Sequence, residues 1–205
     1  MGDLVVVGFD LDMTLIDSRP GIVATLAALS DETGVPIDGE LVVSRLGPTL
    51  ESEMSAWYPA DQVPGVSDRF RELYTEFGVP GCDLLPGAKD ALAAVRGAGG
   101  RTIVITAKYE PNAVRCLEYV GLEVDDVIGW RYGPDKALTL TEHDAAAYIG
   151  DTPTDIAAAH SAGAVGVGVP TGPHSADELR AGGAEVVLDS LREFPAWFER
   201  WAQTT

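Results

Sequence analysis

The sequence predicts an α/β protein, a doubly wound (Rossmann-like) parallel sheet with an all-helical subdomain inserted after its first strand. Three observations carry this expectation. Apolar runs of strand length recur along the 205 residues, and they are continuous instead of alternating, as in strands buried on both faces. Segments of helical spacing separate the runs, so strand and helix take turns as in a doubly wound sheet. One interval, residues 18–83, breaks the alternation with at least three helical patterns and no convincing strand.

In chain order, the first strand is expected at residues 4–9, where Leu4 begins a run of valines. Further strands are expected at 102–105, 145–149, 165–169 and 185–188, with a weaker one at 127–130. Helices are expected at 88–98, 112–120, 135–142, 154–162, 176–181 and 191–202. Within the insert, 20–29 opens the first helical pattern, 41–46 and 50–57 make the second, and 66–77 the third. Glycines and prolines at 34–36, 64–65 and 78–81 punctuate it, where turns and hinges form most easily. The expected organisation is a core of residues 1–17 and 84–205 carrying a helical cap at 18–83.

Composition narrows the function. Hydrophobic residues at 46% and charged residues at 22% exclude a collagen-like or disordered chain. A formal charge of −18 repels phosphate backbones and acidic membranes, so neither is an expected partner. Cys82 and Cys116 stand far apart in the sequence without zinc-like spacing and read as free thiols in a reducing compartment. The start of the chain lacks the basic flank of a leader, and no apolar run approaches the roughly 18 residues of a membrane span. A cytoplasmic protein is expected.

The chemistry concentrates where apolar runs end. Asp10-Leu11-Asp12-Met13-Thr14 sets two carboxylates at the carboxyl end of the first strand, the edge at which open α/β sheets bind ligands. A solvated turn accounts for an aspartate, though not for its place after such a run. The strand at 102–105 ends in Thr106-Ala107-Lys108, where a lone threonine serves equally well as a turn or capping residue. Gly150-Asp151-Thr152-Pro153-Thr154-Asp155 follows another strand; Thr154 or Asp155 can cap a helix, but capping does not explain Asp151. Asp10, Asp12, Asp151 and Asp155 gathered at one edge would repel one another unless a hard cation sat among them, which points to oxygen ligation of Mg²⁺. The chain has only three lysines, Lys89, Lys108 and Lys136, and Lys136 opens a helix, where a compact charge suits a transferring phosphoryl group.

Asp10-x-Asp12-x-Thr14, Thr106 after a strand, Lys136, and Gly150-Asp151 with Asp155 together resemble the haloacid dehalogenase superfamily, specifically its phosphatase branch. The insert resembles a C1-type cap. Asp12-Met-Thr-Leu-Ile-Asp-Ser18, Leu46-Gly-Pro-Thr-Leu50 and Leu85-Pro-Gly-Ala88 look similar to phosphoglycolate-phosphatase-like members. The likeness spans nearly the whole chain, and Met13 departs from it where members usually carry glycine.

The resemblance implies a Mg²⁺-dependent hydrolase of small phosphorylated metabolites. Asp10 would attack phosphorus and become an aspartyl phosphate. Asp12 would protonate the leaving oxygen and then activate water. Thr106 and Lys136 would hold phosphoryl oxygens, with Thr14, Ala107 and Lys108 as further contacts, Thr14 also bracing the Asp10 loop. Mg²⁺ would be held by Asp10, the Asp12 carbonyl and Asp151, with Asp155 behind them orienting water or Lys136. In the cap, Arg45 beside Gly47-Pro48 suits a second anionic group on the substrate; Arg69 and Arg71, among acidic neighbours in a helical pattern, suit it less. The second aspartate argues against a dehalogenase, and the absence of lysine from 18–83 against a Schiff-base phosphonatase. A β-phosphoglucomutase-like phosphotransferase and a non-catalytic binding module of the same fold stay open.

Overall fold

Strand β1 (Val6–Phe9) pairs on one side with β4 (Arg101–Ile105) and on the other with β6 (Ala145–Gly150), all parallel. Beyond β4 lies β5 (Asp126–Ile128), and beyond β6 lie β7 (Val165–Gly168) and β8 (Val186–Val187), giving the order β5-β4-β1-β6-β7-β8. This computed structural model describes residues 4–203; residues 1–3, part of the stretch read as lacking a leader, lie outside them. Successive residues of the central strands enter opposite faces and both faces are buried, which is why the runs are apolar throughout. Val7, Phe9, Val104 and Ile149 join one core cluster, while Val6, Ile103, Ile105 and Tyr148 join the other.

Helices α5 (Ala88–Gly97), α6 (Glu110–Val120), α7 (Pro134–Glu142), α8 (Pro153–Ser161), α9 (Ala176–Ala181) and α10 (Phe194–Ala202) connect and flank the strands. Among the described residues no helix is long and apolar enough to cross a membrane. The doubly wound class and the inserted helices are as the sequence predicts. The register puts Phe9 level with Val104 and Ile149, so Asp10, Thr106 and Asp151 emerge on neighbouring strands at one edge.

Between β1 and β4 the chain forms α1 (Arg19–Thr33), α2 (Gly39–Val43), α3 (Leu50–Met54) and α4 (Val63–Leu73). Helix α1 runs longer than its pattern, from Pro20 in its first turn to Gly34 at φ 72°. The second pattern is two separate helices, because Asp38 and Thr49 each cap a new start, accepting from Leu41 N at 3.0 Å and Ser52 N at 3.3 Å. The third pattern breaks at Tyr74, where α4 gives way to a π-helical turn over Tyr74–Gly78 and a 3₁₀ turn over Val79–Gly81.

Two strands escape the sequence reading. β2 (Ile16–Asp17) and β3 (Asp83–Leu84) pair antiparallel, Ile16 with Leu84 and Asp17 with Asp83. Two residues leave no periodicity to detect. They lie on the two passages between the sheet and the helical insert, so one small ladder ties exit to return.

At the far end, Phe194 is fully buried with its ring 5.4 Å from Phe9, 5.3 Å from Trp197 and 5.5 Å from Phe198. Trp201 stacks in turn on Trp197, so the terminal aromatics pack as core. Phe194→Ala is expected to lower unfolding free energy by about 3–5 kcal/mol in a urea titration, the range for an aromatic cavity. A loss below about 1 kcal/mol would mean that α10 is not part of the cooperative core.

Candidate active site

Five polar side chains meet, almost completely buried, at the carboxyl edge of the sheet. They are Asp10 after β1, Thr106 after β4, Lys136 in the first turn of α7, and Asp151 and Asp155 at the start of α8. Lys136 Nζ lies 2.7 Å from Asp10 Oδ1 and 2.6 Å from Asp155 Oδ1. Carboxylate oxygens of Asp10, Asp151 and Asp155 stand within 4.8 Å of one another. Thr14 Oγ1 donates to Asp151 Oδ1 at 3.4 Å.

Local sequence explains how these groups are held. Asp155 forms a capping box with Thr152: its Oδ2 accepts from Thr152 N at 3.1 Å and from Thr152 Oγ1 at 2.7 Å, leaving Oδ1 for Lys136. Capping and lysine binding are therefore one arrangement, not alternatives. A Cβ at Gly150 would collide with the Asp155 carboxyl, and one at Gly172 would overlap Asp151 Oδ2. Both glycines permit a close approach to a site carboxylate. Met13 has φ 61°, the left-handed region that favours glycine, while its side chain is 1% exposed and fills core space.

Burial dominates the electrostatics. It pushes the Asp10 carboxyl up to about 7, with Lys136 pulling the other way. Burial, then the Asp10 charge, holds Asp151 well above the ordinary carboxylate range. For Lys136, burial opposes the charge but Asp10 and Asp155 outweigh it, so its pKa is raised. Three buried carboxylates thus face one ammonium, and Asp151 has no ion-pair partner among the described residues. That surplus of negative oxygen fits a hard divalent cation.

Asp12 stands beside this cluster with its side chain 22% exposed. Lys108 Nζ lies 2.9 Å from Asp12 Oδ1 as an ion pair. The same ammonium is 3.1 Å from Tyr74 Oη and sits over the Tyr74 ring at 4.4 Å. Lys108 N donates to Thr106 Oγ1 at 3.2 Å. Asp10, Asp12, Thr106, Ala107, Lys108, Lys136, Asp151 and Asp155 all line one cavity of about 480 Å³, with the insert forming its opposite wall. Thr14 does not line it; it is fully buried with its hydroxyl turned to Asp151.

Arg45 lines the cavity, but its guanidinium is engaged by Glu53, Nε at 3.1 Å and Nη2 at 2.6 Å. Arg69 pairs with Glu32 and Glu72 and is not in the cavity wall. Arg71, the arginine the sequence ranked low, is in that wall with its side chain only 11% exposed. Its guanidinium carbon lies 5.8 Å from the Tyr109 ring centre and 5.4 Å from that of Trp130. Acidic neighbours are real, Asp68 at 2.8 Å and Glu51 closer still, yet they orient the guanidinium instead of drawing it into solvent. Tyr74, Tyr109 and Trp130 also line the cavity, and no spacing in the sequence marks them for it. Trp130 is 57% exposed with φ 54°, and nothing in the sequence marks a tryptophan for that backbone.

Comparison with known proteins supports the resemblance read from the motifs. A model of haloacid dehalogenase-like hydrolases matches residues 7–160, and one of HAD-hydrolase-like proteins matches residues 131–194. The chain is 31% identical to a phosphoglycolate phosphatase from Rhodospirillum rubrum, over 92% of this chain and 88% of the relative. It is 29% identical to a phosphoglycolate phosphatase from Chromobacterium violaceum, over 91% of this chain and 93% of the relative. A haloacid dehalogenase-like family hydrolase from Streptococcus pneumoniae has the same fold, with a TM-score of 0.81 and 24% identity over 97% of this chain and all of that one.

The raised Asp10 carboxyl carries a pH signature. In the metal-free protein the folded state binds this proton up to about pH 7, whereas the unfolded chain releases it near 3.8, the ordinary aspartate value. More protons bound when folded means stability falls as pH rises. Thermal midpoints of EDTA-treated protein should therefore decrease between about pH 5 and pH 7.5, and added Mg²⁺ should raise the midpoint most at the upper end. A midpoint that climbs across this window without metal would contradict the assignment.

Proposed function

Because the chain belongs to the haloacid dehalogenase-like hydrolases, we propose that this phosphatase hydrolyses small phosphate monoesters by passing the phosphoryl group through Asp10. The observation that carries the reading is the contrast between two carboxylates of one loop at the cavity floor. Asp10 is buried and fixed by Lys136 at 2.7 Å, while Asp12 is partly exposed and paired with Lys108 at 2.9 Å. Neighbouring carboxylates in unlike surroundings suit a nucleophile and a proton carrier.

In the first half-reaction the Asp10 carboxylate attacks phosphorus, and the ester oxygen leaves with a proton from Asp12. In the second, Asp12 takes a proton from water as that water displaces Asp10 from phosphorus. Lys136 and Thr106 hold the phosphoryl oxygens, and Asp155 keeps Lys136 aimed at them. The proposed cation is Mg²⁺, held by the carboxylates of Asp10 and Asp151 with the Asp12 backbone carbonyl; it would supply the positive charge that keeps Asp10 ionised and offsets the phosphoryl charge. Residues 18–83 act as the cap that chooses the substrate. The relatives named for phosphoglycolate make a small phosphorylated acid the first class to test. Arg45 reads its far end only after leaving Glu53.

Asp10→Asn should cut turnover of p-nitrophenyl phosphate by more than about a thousandfold in a chain that still unfolds cooperatively, and EDTA should abolish turnover reversibly. Activity surviving either treatment would sink the covalent or the metal assignment respectively.

Lys108 separates two roles. If it serves Asp12 as proton donor, Lys108→Met should slow alkyl phosphates by about tenfold or more and largely spare p-nitrophenyl phosphate, whose leaving group needs no proton. Equal losses on both substrates would make Lys108 a phosphoryl contact instead.

A further inference from the structure

The chain's two cysteines, 34 positions apart in sequence, meet in the fold with their Sγ atoms 3.2 Å apart. Cys82 lies between the 3₁₀ turn at Val79–Gly81 and β3, on the passage returning from the helical insert, whereas Cys116 lies on α6 of the sheet layer. Both are fully buried and neither takes part in the proposed chemistry. Tyr74 joins them to the site: its Oη is 3.7 Å from Cys82 Sγ and 4.0 Å from Cys116 Sγ, and on its other side it meets the Lys108 ammonium that pairs with Asp12.

We propose that Cys82 and Cys116 are a site of oxidative modification, closing to a disulfide when the protein meets a hydroperoxide. A disulfide needs its sulfurs at about 2.05 Å, a small approach from the observed contact. Cys82 is the attacking thiol, because its contact with Cys116 and the nearby Lys108 charge hold it below the ordinary thiol range, whereas Cys116 is raised by that contact and by burial. In the first step the Cys82 thiolate attacks the peroxide, an S–O bond forms, the O–O bond breaks, and the alcohol or water leaves. In the second, Cys116 sulfur attacks Cys82 sulfur, the S–O bond breaks, and hydroxide leaves with the Cys116 proton as water. Two thiols and one hydroperoxide thus give one disulfide, one alcohol or water and one further water, the two electrons passing from sulfur to oxygen.

The bond would tie the returning passage to α6 and shift the thiol contacts under Tyr74, hence the Lys108 ammonium beside Asp12. The test exposes the full-length folded chain to hydrogen peroxide, traps remaining thiols with iodoacetamide, and measures intact mass. The expected product has lost two hydrogens, takes up no alkyl group and returns to the starting mass with dithiothreitol. Cys82→Ser and Cys116→Ser should each form no intramolecular bond. Two alkylated thiols after exposure, oxygen adducts without a bond, or a bond that forms only in urea would each overturn the proposal. The mass readout stands whatever the chain hydrolyses; a second arm rests on the phosphatase reading. There turnover of an alkyl phosphate, whose leaving group needs the Asp12 proton, should fall on oxidation and recover on reduction in the parent but not in the serine variants, and a disulfide that leaves it unchanged would refute the coupling to Asp12.

Discussion

The ammonium of Lys136 holds the carboxyl edge of the sheet together. Buried between Asp10 and Asp155, it is the only cation among the described residues that ion-pairs within the group of Asp10, Asp151 and Asp155, whose carboxylate oxygens lie within 4.8 Å of one another. Removing one partner of such a buried arrangement strands charge in low dielectric, which typically costs about 3–5 kcal/mol. The cost spreads through the fold because each partner has a second task. Asp155 caps α8 with its other oxygen, and Asp10 sits where β1 ends, its N–H bonded to Ile149 O of β6 at 2.8 Å. Helix start, strand end and the Asp10 carboxylate are fixed by one charge.

That arrangement remains under-compensated, which sets the price of a phosphate site in an acidic protein. With a net charge of −18 the chain offers little long-range attraction to an anion, so attraction must be local and dry. Two of its three lysines, Lys108 and Lys136, lie in the cavity wall and are nearly inaccessible to water. Surface arginines serve instead as partners for acidic neighbours, as Arg69 does for Glu32 and Glu72.

Most of the sheet edge was legible in the sequence because its chemistry depends on register. A carboxylate one residue past a buried strand can point only to the carboxyl edge, so Asp10 and Asp151 could be located from apolar runs alone. Asp155 and Lys136 followed from helix starts, which carry capping signals. The insert was less legible because its helices are short and its site residues come from faces that no period identifies. Arg71 was ranked low for the very acidic neighbours that hold it, and Trp130 stands in a loop whose backbone conformation disfavours bulky residues. Met13 shows both sides: the motif marks the position as unusual, and only the structure gives the reason, a left-handed backbone combined with a buried side chain.

Around the cavity, the insert and the sheet layer meet through a particular kind of contact. Arg71 lies against Tyr109 and Trp130, Asn112 Nδ2 donates to Arg71 O at 3.1 Å, and Tyr74 Oη accepts from Lys108 Nζ. A cation–π contact is worth about 0.5–2 kcal/mol and a single hydrogen bond about 0.5–1.5 kcal/mol net, each recoverable in part from water when broken. Continuous apolar packing at the same place would be costlier to open, since every exposed methylene forfeits about 0.8 kcal/mol. Polar and aromatic contacts are therefore the least costly to open beside the cavity, while the apolar cluster that joins Ile22, Leu26 and Met54 of the insert to Phe9 and Phe194 of the sheet layer keeps the two attached.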